Sequence, residues 1–567
     1  MKCRLLSLSR RSSKLGLGVW LLALPALTAT GGAGAQPAEP LVLPGKQVTT
    51  DLRPARAFNQ PQLTLSPIEK DTFVIAGANY NAGECVAFAS IDGGQTWRAG
   101  KGIARPQQYA TCVRPDLGPY LGAKFGTDGT LFLTSAGDNA GGQQIVNDLY
   151  TARSEDLGDT WQFAIAHKGR EGVEFTQQDG TKKMGGEHFS LVRMGVDPKD
   201  PRYVYAGARY QHADRTPPYG TFGVIPIRNM IAASSDGGRT FSAPVDPMAG
   251  VPRAQMWGAY VPSISVGPDG TVYAFTRERT PPADPNNPAG PSTSPGVAGA
   301  GGRLLMSVST DRGKTWEVRV VDDSPVTCGS RDRCQWIPEG TVDPESGNIY
   351  VVFAQADTAT SDTNIWFKAS TDGGRTWSER KKLNDDSTNL DQYFPGVSVA
   401  PNGRIDVAWH DFRSSASVQP PADFNAELYW DLYYASSSDG GKTWSRNVRI
   451  SDRSMHRNEG YTFNSQYGLM GPAAVASTDE AAHFAWADSR RGTVQQPTED
   501  YYFTSALWEL DGDGPGSGGT SSVVYFLLGS VAMLAVVGLV LLVATRGFKG
   551  RAAGAAPTGG PAGEAAP

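Results

Sequence analysis

Cysteine and histidine are scarce in this chain of 567 residues, which contains 5 Cys and 6 His. So few His leave little room for a His-based metal site, and no CxxC spacing typical of zinc ligands occurs. A basic excess is also missing, because 52 Lys and Arg stand against 57 Asp and Glu, a net charge of -5. This balance gives no indication of a nucleic-acid partner, and no Ser-His-Asp set or phosphate-binding loop stands out.

Long apolar runs are confined to the two ends of the chain. A basic segment at 1–14, an apolar run and the small residues GAGA predict a secretory signal peptide at 1–35. Residues 523–544 carry no charge and, at about 1.5 Å per residue, are long enough to cross roughly 30 Å of hydrocarbon as a transmembrane helix. Basic residues follow at once, which by the positive-inside rule places the C-terminus in the cytoplasm.

These segments predict a single-pass protein of the cell membrane, with its large domain outside the cytoplasm. The domain occupies 41–510, and a Gly-rich linker at 511–522 separates it from the membrane helix. A short Ala/Gly/Pro tail at 545–567 has the composition of a disordered segment.

The cysteines also fit an exported domain. Setting aside Cys3 leaves Cys85, Cys112, Cys328 and Cys334, an even number that predicts disulfide bonds in an oxidising compartment. The short step from Cys328 to Cys334 suggests a local bond, which leaves Cys85 to pair with Cys112. We therefore expect disulfides and no metal.

The large domain has the composition and the repeats of an all-β fold. The chain has 67 Gly, 39 Pro and 13 Trp, typical of short strands joined by tight turns. Hairpin-like pairs of strands recur at 59–80, 120–138, 188–210, 260–279, 336–357, 393–413 and 469–490. Most of these hairpins are followed by a third strand, an octapeptide that recurs along the chain, and a fourth strand. Four antiparallel strands in a unit of roughly 60–80 residues predict the blade of a β-propeller.

The blade count follows from the hairpins and the octapeptides. Seven hairpins but six octapeptides occur, so the seventh unit lacks an outer strand. The N-terminal stretch 41–52 could supply that strand and close the ring without a free edge. The sequence therefore favours seven blades, with six as the alternative if the first or last hairpin extends its neighbour.

The octapeptide recurs with the pattern Ser-x-Asp-x-Gly-x-Thr-Trp/Phe. Its copies are SIDGGQTW (90–97), SEDLGDTW (154–161), SSDGGRTF (234–241), STDRGKTW (309–316), STDGGRTW (370–377) and SSDGGKTW (437–444). The pattern predicts that Asp binds backbone N–H groups of its own turn, Gly supplies positive φ, and the aromatic ring wedges between blades. Six symmetric carboxylates indicate a structural role, with a calcium site in these turns as the alternative. They are Asp92, Asp156, Asp236, Asp311, Asp372 and Asp439.

This octapeptide resembles the Asp-box, or bacterial neuraminidase repeat, of the sialidase superfamily of β-propellers, here in a membrane-anchored bacterial form. The resemblance covers roughly residues 41–510. It implies that the Asp-boxes lie on the face opposite the active site. It also implies a sialidase chemistry in which three Arg bind the substrate carboxylate, a Tyr activated by Glu is the nucleophile, and an Asp is the acid/base.

The sialidase motif Phe/Tyr-Arg-Ile-Pro is missing from the first inner strand, which reads Phe58-Asn59-Gln60-Pro61. Other residues of the opposite face could still bind or react with a sugar. The ligand-binding candidates are Arg114, Arg209, Arg277, Arg413, Arg490, Trp257 and Trp336. The catalytic candidates are Tyr393 or Tyr461 as nucleophile, Glu278 or Glu339 as its activator, and Asp411.

The similar strings WHDFR (409–413) and WADSR (486–490) favour a structural role, in which Asp and Arg of each string form ion pairs that tie blades together.

Two interpretations of function remain open. The favoured hypothesis is a surface-displayed, monomeric propeller that recognises a glycan or protein ligand without a cofactor. The alternative is a sialidase-like glycoside hydrolase with a rearranged arginine cluster, which requires three of these arginines to converge beside a Tyr–Glu pair.

Overall fold

A computed structural model describes most of the large domain. The described residues are 39–49, 56–79, 81–112, 121–137, 146–176, 182–214, 228–251, 258–259, 263–279, 303–324, 338–357, 362–417, 429–456, 459, 473–493 and 498–508. Strands account for every regular element of these ranges except one 3-10 helix, Arg413–Ser417. The protein is therefore all-β, as its composition predicts.

The strands form seven consecutive groups, numbered 1 to 7 along the chain. Group 1 contains β3 (Arg56–Leu65), β4 (Phe73–Asn79), β5 (Glu84–Ser90) and β6 (Arg98–Ala99). Group 2 contains β7 (Gly122–Phe125), β8 (Leu131–Gly137), β9 (Asp148–Ser154) and β10 (Gln162–His167). Group 3 contains β11 (Val173–Thr176), β12 (Lys182–Val196), β13 (Val204–Asp214) and β14 (Arg228–Ser234). Group 4 contains β15 (Gly258–Ala259), β16 (Ser263–Val266), β17 (Val272–Arg279), β18 (Leu304–Ser309) and β19 (Glu317–Asp322).

The remaining groups follow the same order. Group 5 contains β20 (Glu339–Val342), β21 (Ile349–Ala356), β22 (Thr363–Ser370) and β23 (Lys381–Lys382). Group 6 contains β24 (Gln392–Val399), β25 (Ile405–Asp411), β26 (Tyr429–Ser437), β27 (Val448–Arg449) and β28 (Met455–His456). Group 7 contains β29 (Ala474–Ser477), β30 (Ala481–Asp488) and β31 (Thr498–Leu507), joined by β1 (Leu41–Val42) and β2 (Lys46–Gln47) from the N-terminus.

Within each group, neighbouring strands pair antiparallel in chain order, except that β15 pairs with β17 and β28 pairs with β26. The first long strands of successive groups contact each other in the order β3, β7, β12, β16, β20, β24 and β29, and β29 returns to contact β3. Four-stranded antiparallel sheets whose first strands touch in a closed cycle are consistent with a β-propeller. Strand direction then defines two faces: the upper face, where first strands begin and second strands end, and the lower face, where third strands end.

Group 7 is completed by the start of the chain. Strand β31 pairs with β30 on one side and with β1 and β2 on the other, with Leu41 opposite Leu507 and Lys46 opposite Phe503. The sequence prediction that residues 41–52 supply the missing outer strand is confirmed for these two short strands. A sheet edge that would otherwise be open is thereby covered.

Apolar side chains fill the contacts between groups. One cluster joins Ala76 and Ala87 of group 1 to Leu131 and Tyr150 of group 2. Close approach of first strands requires glycine at their contacts, because a Cβ on Gly122 would lie 2.6 Å from the backbone nitrogen of Met194. Second strands such as β4, β8 and β21 are buried along their whole length, so both of their faces pack against neighbouring groups.

The disulfide between Cys85 and Cys112 is present, with Cα atoms 5.9 Å apart. It ties the segment that follows group 1 back to β5, and both cysteines are fully buried. The predicted partners Cys328 and Cys334 lie outside the described residues. Among the described residues no helix is long and apolar enough to cross a membrane, and the predicted span 523–544, like the predicted signal peptide, lies outside them.

Candidate functional site

The six octapeptides form nearly identical turns on the lower face. In each, the Ser hydroxyl donates to the Asp Oδ1 at 2.8 Å. The Thr hydroxyl donates to Oδ2 of the same Asp at 2.6 Å. A Gly N–H four residues after the Ser donates to the Ser Oγ. Both carboxylate oxygens of every Asp therefore accept hydrogen bonds from their own turn.

These bonds favour the ionised carboxylates. Burial raises the pKa of Asp236 and Asp439, but hydrogen bonds from the Thr and Ser of the same turn outweigh it and lower the pKa of each to about 2. Because both oxygens of each carboxylate already accept hydrogen bonds within the turn, these aspartates are poorly suited to acid/base chemistry at neutral pH.

The aromatic residue of the octapeptide packs against the preceding group. Trp97 lies 5.1 Å from Phe503 of group 7, and Trp444 lies 4.9 Å from Phe367 of group 5, measured between ring centroids. Gly94 has φ of 82°, and a Cβ there would lie 2.2 Å from the Phe503 ring. The octapeptide thus uses Gly both for its backbone conformation and for contact with the neighbouring group.

On the upper face, Asp411 and Arg413 form one closed unit. The Arg413 guanidinium donates to Asp411 at 2.9 and 2.8 Å and to Asp385 at 2.9 Å, while the Trp409 indole N–H donates to Asp411 at 2.9 Å. Arg413 also stacks on the Tyr433 ring, 4.1 Å from its centroid. Burial raises the pKa of Asp411, and the bonds from Arg413 oppose that rise.

Group 7 repeats this unit. Arg490 donates to Asp488 at 2.7 Å and to Asp452 at 2.5 Å, and stacks on Tyr502 at 4.0 Å. The Trp486 indole N–H donates to Asp488 at 2.9 Å. In both units the arginine joins its own strand to the segment that precedes its group and forms ion pairs with carboxylates there. Among the described residues the Arg490 Nε has no hydrogen-bond partner.

The other described arginine candidates lie in groups 3 and 4. Arg209 donates from Nε to the Ser190 hydroxyl at 2.9 Å. Arg277 is 2 % exposed, and within the described part of the chain its Nη1 has no hydrogen-bond partner. Desolvation lowers the pKa of Arg277 to about 10, and its guanidinium lies 5.7 Å from the centroid of the Phe353 ring. Arg277 therefore retains a buried, unused donor.

Tyr393 pairs with an aspartate, and another tyrosine pairs with a glutamate. The Tyr393 hydroxyl donates to Asp391, whereas the Tyr210 hydroxyl donates to Glu187 at 2.8 Å. Glu187 also accepts from Arg170 at 2.7 Å and contacts His167 at 3.2 Å. Burial raises the Glu187 pKa, but these bonds dominate and lower it to about 2, whereas burial and the Glu187 carboxylate raise the Tyr210 pKa well above 10.

Three first strands carry a bulge at the same height near the upper face. Gln60, Leu191 and Phe394 each have φ of 49–52°, and each follows the residue at which strand pairing shifts by one. Bulges of this kind redirect side chains next to functional sites. At the first bulge, Asn59 donates to Glu499 at 2.9 Å. Among the described residues no donor reaches Asn59 Oδ1 or Gln60 Oε1.

Some predicted residues cannot be placed. Arg114, Trp257, Trp336 and Tyr461 lie outside the described residues. Glu278 belongs to β17, opposite Ala259 in the pairing. Within the described ranges, no cluster of three or more His, Cys, Asp and Glu is placed to hold a metal ion.

Sequence reasoning missed the Tyr210–Glu187 pair and the three bulges. The Tyr210–Glu187 contact could not be predicted because the two residues lie on different strands of one group, 23 positions apart, and no sequence motif connects them. A Pro directly after the bulged residue in Gln60-Pro61 and Phe394-Pro395 was the available signal for two of the bulges.

The sequence matches no protein-family model and no curated protein. Several solved structures are similar to the chain at low identity. A Hadza microbial sialidase, Hz136, is 15 % identical over 78 % of this chain and 75 % of its own, with a TM-score of 0.41. A leech intramolecular trans-sialidase is 11 % identical over 77 % and 82 %, with a TM-score of 0.39. An α-L-arabinanase of Penicillium chrysogenum is 13 % identical over 65 % and 94 %, with a TM-score of 0.38.

Proposed function

We propose that this chain is a membrane-anchored Asp-box β-propeller of seven blades that recognises a glycan through its upper face and does not hydrolyse it. The observation that carries this proposal is at the first bulge. Asn59 occupies the place where a sialidase would carry its first carboxylate-binding arginine, and its amide is engaged with Glu499. The neutral amide of Asn59 cannot form the bidentate ion pair by which an arginine binds a carboxylate.

The arginines of the upper face support the same proposal. Arg413 and Arg490 are held by carboxylates of their own and neighbouring segments, so neither guanidinium is available as a fork for a substrate. Arg277 keeps a buried donor without a partner in the described residues. It is the arginine that we assign to ligand contact, together with the amide oxygens of Asn59 and Gln60.

Binding to a glycan array by the purified full-length protein tests this function. We expect Arg277→Met to weaken binding at least tenfold, because a hydrogen bond between a charged donor and a ligand is lost. Lys314→Met, a change in an octapeptide turn of the lower face, serves as the control and should bind normally. Retention of full binding by the Arg277 variant, or no binding of any glycan by the wild type, would contradict the proposal, the latter outcome favouring a protein ligand.

Hydrolysis is the second candidate, and the Tyr210–Glu187 pair at 2.8 Å favours it. A Tyr–Glu pair is the nucleophile arrangement of sialidases. The direction of both pKa changes opposes that role, because Glu187 is a weak base and the Tyr210 phenol resists ionisation. Turnover of a fluorogenic sialoside that disappears in Tyr210→Phe would establish hydrolysis and overturn the pure binding function.

The location outside the cytoplasm is part of the proposal. A single-pass protein is supported by the basic segment at 1–14, the uncharged stretch 523–544 and the basic residues after that stretch. The Cys85–Cys112 disulfide supports an oxidising compartment. We further propose a monomer that needs no cofactor. Protease added to intact cells should digest the large domain and leave an epitope attached to residue 567 undigested.

A further inference from the structure

We propose that His483 of β30 makes the closure of the ring sensitive to mild acid. Protonation of its imidazole loosens β31 and releases the N-terminal strands β1 and β2 that pair with it. This acid response belongs to the fold itself and is independent of ligand binding at the upper face.

His483 is linked to the N-terminal segment through one residue of β31. Its Nδ1 lies 2.8 Å from the Ser505 hydroxyl, and its Nε2 lies 3.4 Å from the Thr478 hydroxyl. The backbone carbonyl of the same Ser505 accepts a hydrogen bond at 2.9 Å from the N–H of Leu43, the residue directly after β1. A displacement of Ser505 by the imidazole therefore acts directly on the strand pairing that closes the ring.

Uncharged groups surround the His483 ring. Its centroid lies 4.6 Å from that of Phe73 in group 1 and 6.1 Å from that of Phe503 in β31. In the sheet, His483 lies opposite Ala476 of β29 and Ser505 of β31. His483 is only 6 % exposed. A positive charge on the imidazole would therefore lose most of its hydration at the contact between groups 7 and 1.

Group 6 brings a positive charge to the same place. Arg404 donates to the Thr478 carbonyl at 2.8 Å, and the hydroxyl of this same Thr478 lies beside the imidazole. The Asp406 carboxylate pairs with Arg404 at 3.0 Å and accepts a hydrogen bond from Tyr434 at 2.6 Å, so it is engaged within group 6. The Arg404 charge opposes protonation of His483.

Glu480 is the carboxylate that favours protonation of His483. Its side chain is solvent-exposed and pairs with Lys70 of group 1 at 3.5 Å, and within the described ranges His483 itself forms no ion pair. Burial has the largest effect, and together with Arg404 it lowers the pKa of His483 from 6.5 to about 4. The folded ring thus holds the imidazole neutral. Its contribution to stability is complete above about pH 6.5 and declines as the pH falls toward 4.

Hydrogen exchange of the full-length protein, followed by mass spectrometry at pH 7 and pH 5 and corrected for the intrinsic rate, tests this acid response. The peptide 41–48 carries the Leu43 and Val48 amides, which donate to the Ser505 and Tyr501 carbonyls of β31. We expect the opening constant of this peptide to rise at least tenfold from pH 7 to pH 5, because the open state takes up a proton that the closed state excludes. An unchanged constant in the wild type would overturn the proposal.

Two variants assign the effect to His483. His483→Gln removes the titrating ring and keeps hydrogen-bonding groups for the Ser505 hydroxyl, so its opening constant should change less than about threefold. His410→Gln is the matched control, because burial also lowers the pKa of His410, to about 3, but this ring stacks on Trp430 within group 6. The control should keep the rise of the wild type at 41–48. A full rise in His483→Gln, or its loss in His410→Gln, would overturn the proposal, and His483→Asn replaces His483→Gln if that variant does not fold.

Discussion

The Asp236 carboxylate is the clearest case of a residue whose role is set by its own turn. It accepts hydrogen bonds from the Ser234 and Thr240 hydroxyls and from the Thr240 backbone N–H. The aspartates at the same place in the other octapeptides make the same bonds to their Ser and Thr. The same hydrogen-bonded Asp turn therefore occurs six times on the lower face.

Acid should destabilise the protein through these turns. The Asp236 pKa of about 2 in the folded protein lies below its usual 3.8, so the stabilisation is present above about pH 4 and is lost as the pH falls toward 2. Asp236→Asn should lower the free energy of unfolding at pH 7 by about 1 kcal/mol and flatten its pH dependence between pH 4 and 2. Urea unfolding at several pH values measures both effects.

The exposed Asp323, which follows β19, offers a matched control. Asp323→Asn removes the same charge and should leave the free energy of unfolding at pH 7 within about 0.5 kcal/mol of the wild type. An Asp236 variant with the stability and the acid response of the wild type would show that the turn does not depend on its carboxylate.

Gly94 gives a second test at the residue scale. Gly94→Ala adds a Cβ at positive φ and drives it to within 2.2 Å of Phe503, so we expect a loss of about 2 kcal/mol or more in the free energy of unfolding. Gly403→Ala is the control, since Gly403 also has positive φ but has open space around its Cβ position. Equal losses in the two variants would show that backbone conformation alone, and not contact with group 7, requires Gly94.

At the scale of the element, the Cys85–Cys112 bond fixes an otherwise irregular connection. The connection runs from the outer strand of group 1 to the first strand of group 2, and Tyr150 donates to its Ala104 carbonyl at 2.7 Å. The cysteines are 27 residues apart, so the bond removes much of the freedom of the unfolded segment.

Loss of this disulfide should be measurable in the whole protein. The double variant Cys85→Ser, Cys112→Ser should lose about 2–4 kcal/mol of unfolding free energy. Thermal unfolding with and without a reducing agent checks the value, since the reduced wild type should match the variant. A variant as stable as the oxidised wild type would show that packing alone holds the connection.

The strands and turns could be predicted from the sequence because they depend on local chemistry. Octapeptides such as 370–377 place Asp, Gly and Thr at fixed spacing, and the side-chain hydrogen bonds of Ser370 and Asp372 that form the turn stay within about five residues. The site could be predicted less fully. The contacts of Tyr210 with Glu187 and of Arg193 with Glu339 join residues 23 and 146 positions apart, and no spacing rule connects them.

At the scale of the whole molecule, a buried ion pair joins the first and last groups. Arg56 of β3 donates to Asp500 of β31 at 2.7 and 2.8 Å, and Thr49 donates to the same carboxylate at 2.5 Å. Asp500 is fully buried. The ring therefore closes through a charged contact as well as through paired strands.

Breaking that contact should weaken the closure. Arg56→Met leaves Asp500 buried without its main partner, and we expect a loss of about 3–5 kcal/mol in unfolding free energy. Hydrogen exchange should show the largest loss of protection in groups 1 and 7, with groups 3 to 5 little affected. Uniform loss over all groups would show instead that the ring unfolds as one unit whenever any contact is weakened.

The pairing of β1 and β2 with β31 also sets the order in which the molecule can be completed. Leu41 and Leu507 are neighbours in space, yet almost the entire domain separates them along the chain. Loop closure becomes more costly with length, by about 0.6 kcal/mol for each doubling, and contacts of such separation form slowly. A nascent chain that emerges N-terminus first must hold its opening strands unpaired until synthesis has passed β31. The contacts of β1 and β2 with β31 are thus gained late, and until then the edges of these strands remain unpaired.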